Sequence, residues 1–473
     1  MTEAVIEPVV VPALAGVGSW PWYLRYIRDP ISFFAQAKAA FGPVVALGSP
    51  FLFAKAASPR YFLAIGGRFN RTVLGQPDLF RPGGPVMRGP LGSAQARLRE
   101  GIITIYGERH RTHRRVMQPP LSRPAIPNYL SRMAEITDEI LAEWEPGGQV
   151  DMYAEMRKVS NWIDAELLFG SASLEKSLEI GKAIEHWLLL DADARGHLSF
   201  LDLPGSRRRR LLRHAEVLEG LILEGIARSR AQDPPASDVL SMMVQASDRD
   251  PAIMTEDELV AHTAIIYAAG FETTANVLAW TLFLLAQHPK FAQQAYNEVK
   301  EAFTAWPPDR EMLEQAPALD FAIKEAMRMV PPVPFTVRTA LEDTEVEGIP
   351  LRRDDKVLLA HYGTLRDPAL YADPDRFIPE RWKTIRPDTY DYPVFSSGSR
   401  LCLGMMFAQA ELKLVIGRIL QRFSFRIPDS AHIDAKVQLT LRPVPGVPMI
   451  LGEPGAGFST ARISGNVTQM IKS

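Results

Sequence analysis

The longest apolar pattern in the chain runs from Thr255 to His288, just before Pro289. Thr255 with Glu258 three residues later forms a capping box, in which each side chain accepts from the other residue's backbone N–H. The helix it opens can run to His288, about 33 residues and roughly 50 Å at 1.5 Å per residue. It is apolar on nearly every side, which predicts burial through the middle of a fold. A membrane span would fit the length, but His262, Glu272, Thr273, Thr274 and Asn276 make that environment costly. Helical spacing recurs over Ile31–Phe41, Asn161–Phe169 and Ile180–Leu190. It appears again in Leu319, Ile323, Met327 and Val330, where the pattern stops at Pro331-Pro332. Arg207–Arg210 reads as the solvated start of an amphipathic helix carrying Leu211, Leu212, Val217, Leu218 and Leu221. Short β-rich runs, Val44–Leu47 and Tyr61–Ile65, read as strands of a small sheet, as do Val333–Thr339 and Val357–His361. Val437–Arg442 and Val447–Leu451 read as a closing hairpin. Residues 81–92 form a Pro- and Gly-rich loop, and further breaks fall at Asp202–Ser206 and Asp233–Pro235. The fold class is mainly α with smaller β-sheets.

Composition narrows the function. With 473 residues, 47% of them hydrophobic, the chain can bury a large core. A formal net charge of −2 gives no reason to expect a nucleic acid or another polyanion as partner. A single cysteine excludes an internal disulfide and fits a reducing, cytoplasmic setting. The N-terminal stretch is apolar but interrupted by Glu3, Glu7, Pro8 and Pro12, and no basic segment precedes it. It is therefore expected to be neither a membrane anchor nor a secretory signal.

That one cysteine lies in Phe395-Ser396-Ser397-Gly398-Ser399-Arg400-Leu401-Cys402-Leu403-Gly404, before a run of helix formers from Met405 to Leu420. A thiolate just before a helix is favoured by the free N–H groups of the first turn. Gly398 and Gly404 permit unusual dihedrals and close approach to something flat and large. One soft anionic ligand is too few for a zinc knuckle or an iron–sulfur cluster, but a haem iron needs only one. The alternative is an inert core cysteine. His110 and Arg114, four apart, share a helix face and can hold a carboxylate, or can belong to a solvated basic face. Ala269-Gly270-Phe271-Glu272-Thr273-Thr274 puts a glycine and an acid in mid-helix, which is locally unfavourable and marks either a functional site or a satisfied polar patch. Glu325 and Arg328 share a helix face.

The motif Phe-x-x-Gly-x-Arg-x-Cys-x-Gly resembles the haem-binding loop of the cytochrome P-450 family, and the other motifs follow that family's order. The resemblance covers roughly residues 20–452. It implies one cytochrome P-450 domain for 1–473, with 1–19 an N-terminal arm, 453–473 a mobile tail, and the long helix crossing a buried haem b. On the same resemblance Cys402 is the axial iron ligand, and Phe395, Gly398, Arg400, Gly404, Ala269 and Gly270 surround the haem. His110, Arg114, Arg338 and Arg400 serve its propionates. Thr273 stands near bound oxygen, Glu272 is the acid of the proton path, and Glu325, Arg328 and Arg381 form a structural charge cluster. One departure is Leu365 where the family often has histidine. The implied activity is monooxygenation, with O2 as oxidant and electrons from a separate ferredoxin and ferredoxin reductase. The ferredoxin is expected to dock on the cysteine side, helped by Arg109 and Arg111. Ile266, Val333 and Phe335, with Leu188, Leu189 and Phe200 nearby, suggest a pocket for a lipophilic molecule such as a fatty acid, terpenoid or polyketide. Two alternatives are a hydrogen-peroxide-using hydroxylase on the same fold and a non-catalytic haem-binding sensor or carrier.

Overall fold

A computed structural model describes residues 12–14, 20–47, 60–83, 89–170, 173–191, 205–232 and 238–472. In chain order the first elements are β1 (Ala13–Leu14), α1 (Trp20–Arg28), α2 (Pro30–Phe41), β2 (Val44–Leu47), β3 (Tyr61–Ala64), α3 (Gly67–Leu74) and β4 (Phe80–Pro82). Then come α4 (Ala94–Leu98), α5 (Gly107–Met117), α6 (Pro127–Leu141), β5 (Gln149–Asp151), α7 (Met152–Phe169), α8 (Leu174–Asp191), α9 (Arg207–Ala231) and α10 (Val239–Arg249). The long helix α11 (Glu256–Gln287) leads to α12 (Pro289–Ala302), α13 (Arg310–Glu314) and α14 (Pro317–Met329). The chain then forms β6 (Thr336–Ala340), β7 (Thr344–Val346), β8 (Ile349–Leu351), β9 (Lys356–Leu359) and α15 (His361–Thr364). It ends with α16 (Met405–Arg422), β10 (Ser424–Arg426), β11 (Asp434–Val437), β12 (Leu441–Val444), β13 (Pro448–Gly452) and α17 (Val467–Met470).

These elements fall into two compact units. The first comprises residues 1–84, 333–375 and 386–402. Its centre is a six-stranded mixed sheet in the order β1-β2-β3-β9-β6-β4. Both predicted pairs of runs meet here: β2 lies antiparallel to β3, and β6 antiparallel to β9. Phe62, Ala64, Phe69, Val73, Phe80, Val357 and Leu359 fill its core. Helix α2 starts where expected because Asp29 caps it, accepting from Ile31 N at 3.1 Å and Ser32 N at 3.2 Å, with Pro30 at the first position. The N-terminal arm needs correcting in part: Ala13–Leu14 pairs in parallel with Ala46–Leu47, and α1 follows.

The second unit comprises residues 85–332, 376–385 and 403–473. Helix α11 runs through it, packed along α7 and against α4, α9, α14 and α16. Its capping box is formed, with Thr255 N donating to Glu258 Oε2 at 2.7 Å and Glu258 N to Thr255 Oγ1 at 3.3 Å. Burial on all sides explains the missing polar face: Trp280, Leu282, Leu284, Leu285 and Ala286 are fully enclosed.

Two sequence expectations need revision in this unit. The closing hairpin joins other partners: β11 pairs with β12, while β13 pairs with β10 on one side and β5 on the other. Alternation identifies a strand but not its neighbour. Residues 453–472 are not a loose tail. Ile433 N donates to Ser464 O at 3.0 Å, Ala435 N to Asn466 Oδ1 at 2.6 Å, and Val467 is buried. The segment lacks periodicity because side-chain and bridge hydrogen bonds hold it, not a repeating apolar face.

Candidate active site

In the second unit, α11 is enclosed around Ile265, Tyr267, Ala268, Phe271, Glu272 and Thr274, but opens at four positions. Ile266, Gly270 and Thr273 are half-buried and Ala269 is exposed. Their spacing of i, i+3, i+4 and i+7 makes them one stripe along the helix. Thr273 Oγ1 donates to Ala269 O at 2.7 Å, so the hydroxyl is held over this stripe. Glu272 points elsewhere: its Oε1 accepts from Thr440 Oγ1 at 2.8 Å, and that hydroxyl accepts from Asn276 Nδ2 at 2.9 Å. The acid is therefore served by protein, through a threonine that no local pattern in the sequence connects to it.

Gly270 also has a reason the sequence did not reveal. A Cβ there would come within 2.7 Å of Asp164 Oδ2, so the α7 carboxyl occupies the space a side chain would need. Burial, with Glu411 as the second cause, pushes the Asp164 carboxyl well above the usual carboxylate range. Burial likewise raises the Glu411 carboxyl to about 8. Neither carboxyl of this apolar neighbourhood favours its charged form.

On α5, His110 is buried and Arg114 half-buried, while Arg109, Arg111 and Arg115 are exposed. The two candidate carboxylate partners thus share the inner side of the helix, and the solvated basic face belongs to the other arginines. His113, which sequence reasoning passed over, is buried with them and meets His262 of α11, Nδ1 to Nε2 at 2.7 Å. Burial first, and then His113, hold the His262 ring down to about 3. Arg109 and Arg111 are already paired: Arg109 with Glu258 at 2.5 Å and Glu100 at 3.1 Å, Arg111 with Glu108 at 2.9 Å. Local acids thus offset the positive field that the docking expectation needed.

The charge cluster is assembled within the same unit. Glu325 receives Arg328 through both oxygens at 2.9 Å, Arg381 Nε at 2.9 Å, Trp382 Nε1 at 3.0 Å and Ile378 N at 3.1 Å. Glu325 and Arg328 have no exposed surface. The spacing of Glu325 and Arg328 pointed to their pair, but Trp382 and the Ile378 amide arrive through space. One carboxylate holds two guanidiniums, so its loss takes a buried charge partner from each. Glu325→Ala is expected to cost about 3–5 kcal/mol of unfolding free energy. Urea unfolding of the haem-loaded protein measures this; a loss below about 1 kcal/mol would contradict such a role for the cluster.

In the first unit, the loop around Cys402 is closed by Cys402 N donating to Phe395 O at 2.7 Å. The thiol is exposed, and Phe395 and Arg400 are half-buried. Gly398 has φ +61°, and a Cβ there would also meet Leu74 O at 2.8 Å, so glycine is required twice over. Gly404 has an ordinary φ of −89° and nothing within 4 Å of its missing side chain, so its contribution is open space, not an unusual dihedral. Arg338 of β6 donates to Val337 O at 3.0 Å, and among the described residues it has no carboxylate partner. Burial lowers its guanidinium to about 10. His361 lies close by, held down to about 3 by burial and then by Arg338, and hydrogen-bonds Thr336 Oγ1 at 3.0 Å. Val333 and Phe335 are half-buried. Leu365 is fully buried. Phe200 lies outside the described residues.

A family model for cytochrome P450 matches residues 83–448. The chain belongs to the cytochrome P450 family. Among curated relatives, cyclooctatin synthase of Streptomyces melanosporofaciens is 28% identical over 432 residues, covering 88% of this chain and 90% of the relative. Pentalenene oxygenase of Streptomyces avermitilis is 26% identical over 343 residues, covering 70% and 75%. The retinoic acid-bound cyanobacterial CYP120A1 structure superposes with a TM-score of 0.79 at 23% identity, covering 94% of this chain and all of that one. The fold is that of a cytochrome P450, and the enzyme class is cytochrome P450 monooxygenase. Membership implies a haem iron cofactor, dioxygen, a lipophilic substrate and redox partners.

Proposed function

We propose that residues 20–452 act as one cytochrome P450 domain that inserts one oxygen atom from O2 into a lipophilic, ring-bearing small molecule of terpenoid type. The observation that carries this reading is the exposed Cys402 thiol in a closed, glycine-bearing loop of a cytochrome P450 chain. In this reading Cys402 would supply the thiolate that holds the iron of haem b, and Phe395, Gly398, Arg400, Gly404, Ala269 and Gly270 would hold the group. The residues fit such a group: Arg338 is a desolvated cation without a carboxylate partner among the described residues, His110 and Arg114 line the inner side of α5, and the α11 stripe is open where the middle of the helix is otherwise closed. Arg338, His110, Arg114 and Arg400 would hold its carboxylates.

The haem, when bound, supplies the oxidising chemistry, with the thiolate pushing electron density toward iron. The chain's own contribution is placement and proton supply. Thr273 holds a hydroxyl over the open stripe, and Glu272, tied to Thr440, keeps an acid one residue away. Ile266, Val333 and Phe335 offer apolar contact for the substrate. Relatives named for pentalenene, cyclooctat-9-en-7-ol and 11-oxo-β-amyrin support a ring-bearing skeleton. The lone cysteine leaves no ligand set for an iron–sulfur centre in this chain, which supports a separate ferredoxin and its reductase as donors and a cytoplasmic setting.

The test supplies the haem-loaded enzyme with a ferredoxin, its reductase, heavy-isotope dioxygen and a panel of polycyclic terpenoid hydrocarbons. One labelled oxygen atom per product molecule is expected. Label drawn from water, equal turnover with hydrogen peroxide alone, or no consumption of reductant with any lipophilic compound would each overturn the reading.

A further inference from the structure

Away from the α11 stripe and the cysteine loop, the second unit carries an open groove of about 380 Å³. It lies between the end of α12, the loop that follows, and the last turns of α16. One glycine shapes its wall. Phe303 caps the end of α12, and a Cβ at Gly417 of α16 would come within 2.4 Å of its ring, so only glycine lets the ring sit there. Trp306, three residues on, is pinned from two directions. Its Nε1 donates to Asp138 Oδ2 of α6 at 2.6 Å, and the Arg418 guanidinium lies over its ring at 4.2 Å. Tyr296 and Trp306 are half-buried and both line the groove.

The charges here do not balance. Lys300, Arg418 and Arg422 line the groove, and among its described lining residues there is no carboxylate. Asp138 stands beside them and is shared. Arg418 holds it at 2.7 and 3.0 Å, while Arg422 reaches it only at 3.8 Å. Lys300 is exposed and enters no ion pair among the described residues. Three cations against one carboxylate leave a surplus of two positive charges beside aromatic rings. On a solvated helix face such cations would spread over one element. Here they come from two helices, α12 and α16, and meet in one concavity.

We propose that this groove binds a phosphate monoester carried on a flat apolar ring. Such a group bears about 1.5 to 2 negative charges at pH 7, which matches the surplus. Guanidinium forks and a lysine point charge both suit its oxygens. The ring body lies against Tyr296 and Trp306, which favour edge-on or offset contact. A carboxylate on the same ring would neutralise only half of the surplus, and inorganic phosphate would leave the rings in water. Arg418 is already engaged by Asp138 and Trp306, so holding the phosphate falls mainly to Lys300 and Arg422.

The test titrates naphthyl phosphate into the haem-loaded full chain by calorimetry, with the visible haem spectrum recorded alongside. One saturable site with a Kd on the order of 0.1 mM is expected, weakening as salt rises. The haem spectrum is expected to stay unchanged, because the groove shares no residue with the α11 stripe or the cysteine loop. Inorganic phosphate and naphthol, which each carry half of the chemistry, are expected to bind at least about ten-fold more weakly. Lys300→Gln/Arg422→Gln is expected to lose more than about ten-fold in affinity while product formation stays at the wild-type level. No saturable binding to the wild-type protein, equal affinity in the double-glutamine variant, equal affinity for inorganic phosphate, or a haem shift that tracks the binding heat would each overturn the proposal. So would ferredoxin binding that the double-glutamine variant loses while naphthyl phosphate goes unbound, which would assign the groove to an acidic protein.

Discussion

Thr273→Ala is expected to leave the fold and haem loading intact while the yield of oxygenated product per reduced cofactor consumed falls roughly 10²- to 10⁴-fold, with peroxide appearing in its place. The fold survives because Thr273 is half-buried and its hydroxyl serves only the helix itself, donating to Ala269 O at 2.7 Å. Removing such a back-bond does not orphan a buried donor. The function is expected to fail because the hydroxyl stands on the open stripe of Ile266, Ala269, Gly270 and Thr273 in an otherwise enclosed middle of the helix. From there it can turn from the Ala269 carbonyl to a ligand lying over Ala269 and Gly270. Thr273→Ser keeps the donor and should keep most of the coupling. Glu272→Gln keeps the acceptor for Thr440 but loses the exchangeable proton, and should follow the alanine variant. An unchanged product yield in Thr273→Ala would make the hydroxyl a satisfied polar group and nothing more.

The parts of the fold that sequence made legible are those written in local periodicity. The capping box of α11, its length and its all-round burial follow from residues within one segment, and the structure places its start and end within a residue of the expectation. The same holds for the helical pattern of Ile31–Phe41, which α2 covers, and for the strands β2 and β3. What remained hidden was choice of partner. The run from Val447 to Leu451 was readable as a strand, yet the neighbours of β13 are β10 and β5, which lie near in sequence on one side and about 300 residues away on the other. The ordered tail was hidden because Asn466 and Ser464 hold it by individual hydrogen bonds, which leave no periodic trace.

The candidate site divides in the same way. Spacing pointed to Glu325 and Arg328 as a pair and composition to the cysteine loop, while Arg381 was implied by the family resemblance alone. It did not point to Thr440 beside Glu272, to Asp164 against Gly270, or to the His113–His262 contact, each of which joins helices or turns far apart in the chain. Glu272 and His262 were visible as polar residue types on an apolar helix. Their partners required coordinates.

Cys402→Ser carries the largest expected effect. The chain contains one cysteine, so no other thiolate can replace it. Its thiol is exposed, so in the proposed reading the substitution removes the iron's thiolate without opening a buried cavity. The backbone closure from Cys402 N to Phe395 O is independent of the side chain, and the loop should keep its shape. Serine is a harder and far more basic ligand, and at neutral pH it does not supply an anionic sulfur to iron. Monooxygenation should therefore fall to background, with any remaining haem binding resting on the proposed carboxylate partners Arg338, His110, Arg114 and Arg400. The most direct measurement is the visible absorption spectrum of the reduced, carbon monoxide-bound protein. The wild-type protein is predicted to show the thiolate-type band and Cys402→Ser to lack it; a thiolate-type band persisting in the serine variant would contradict the account.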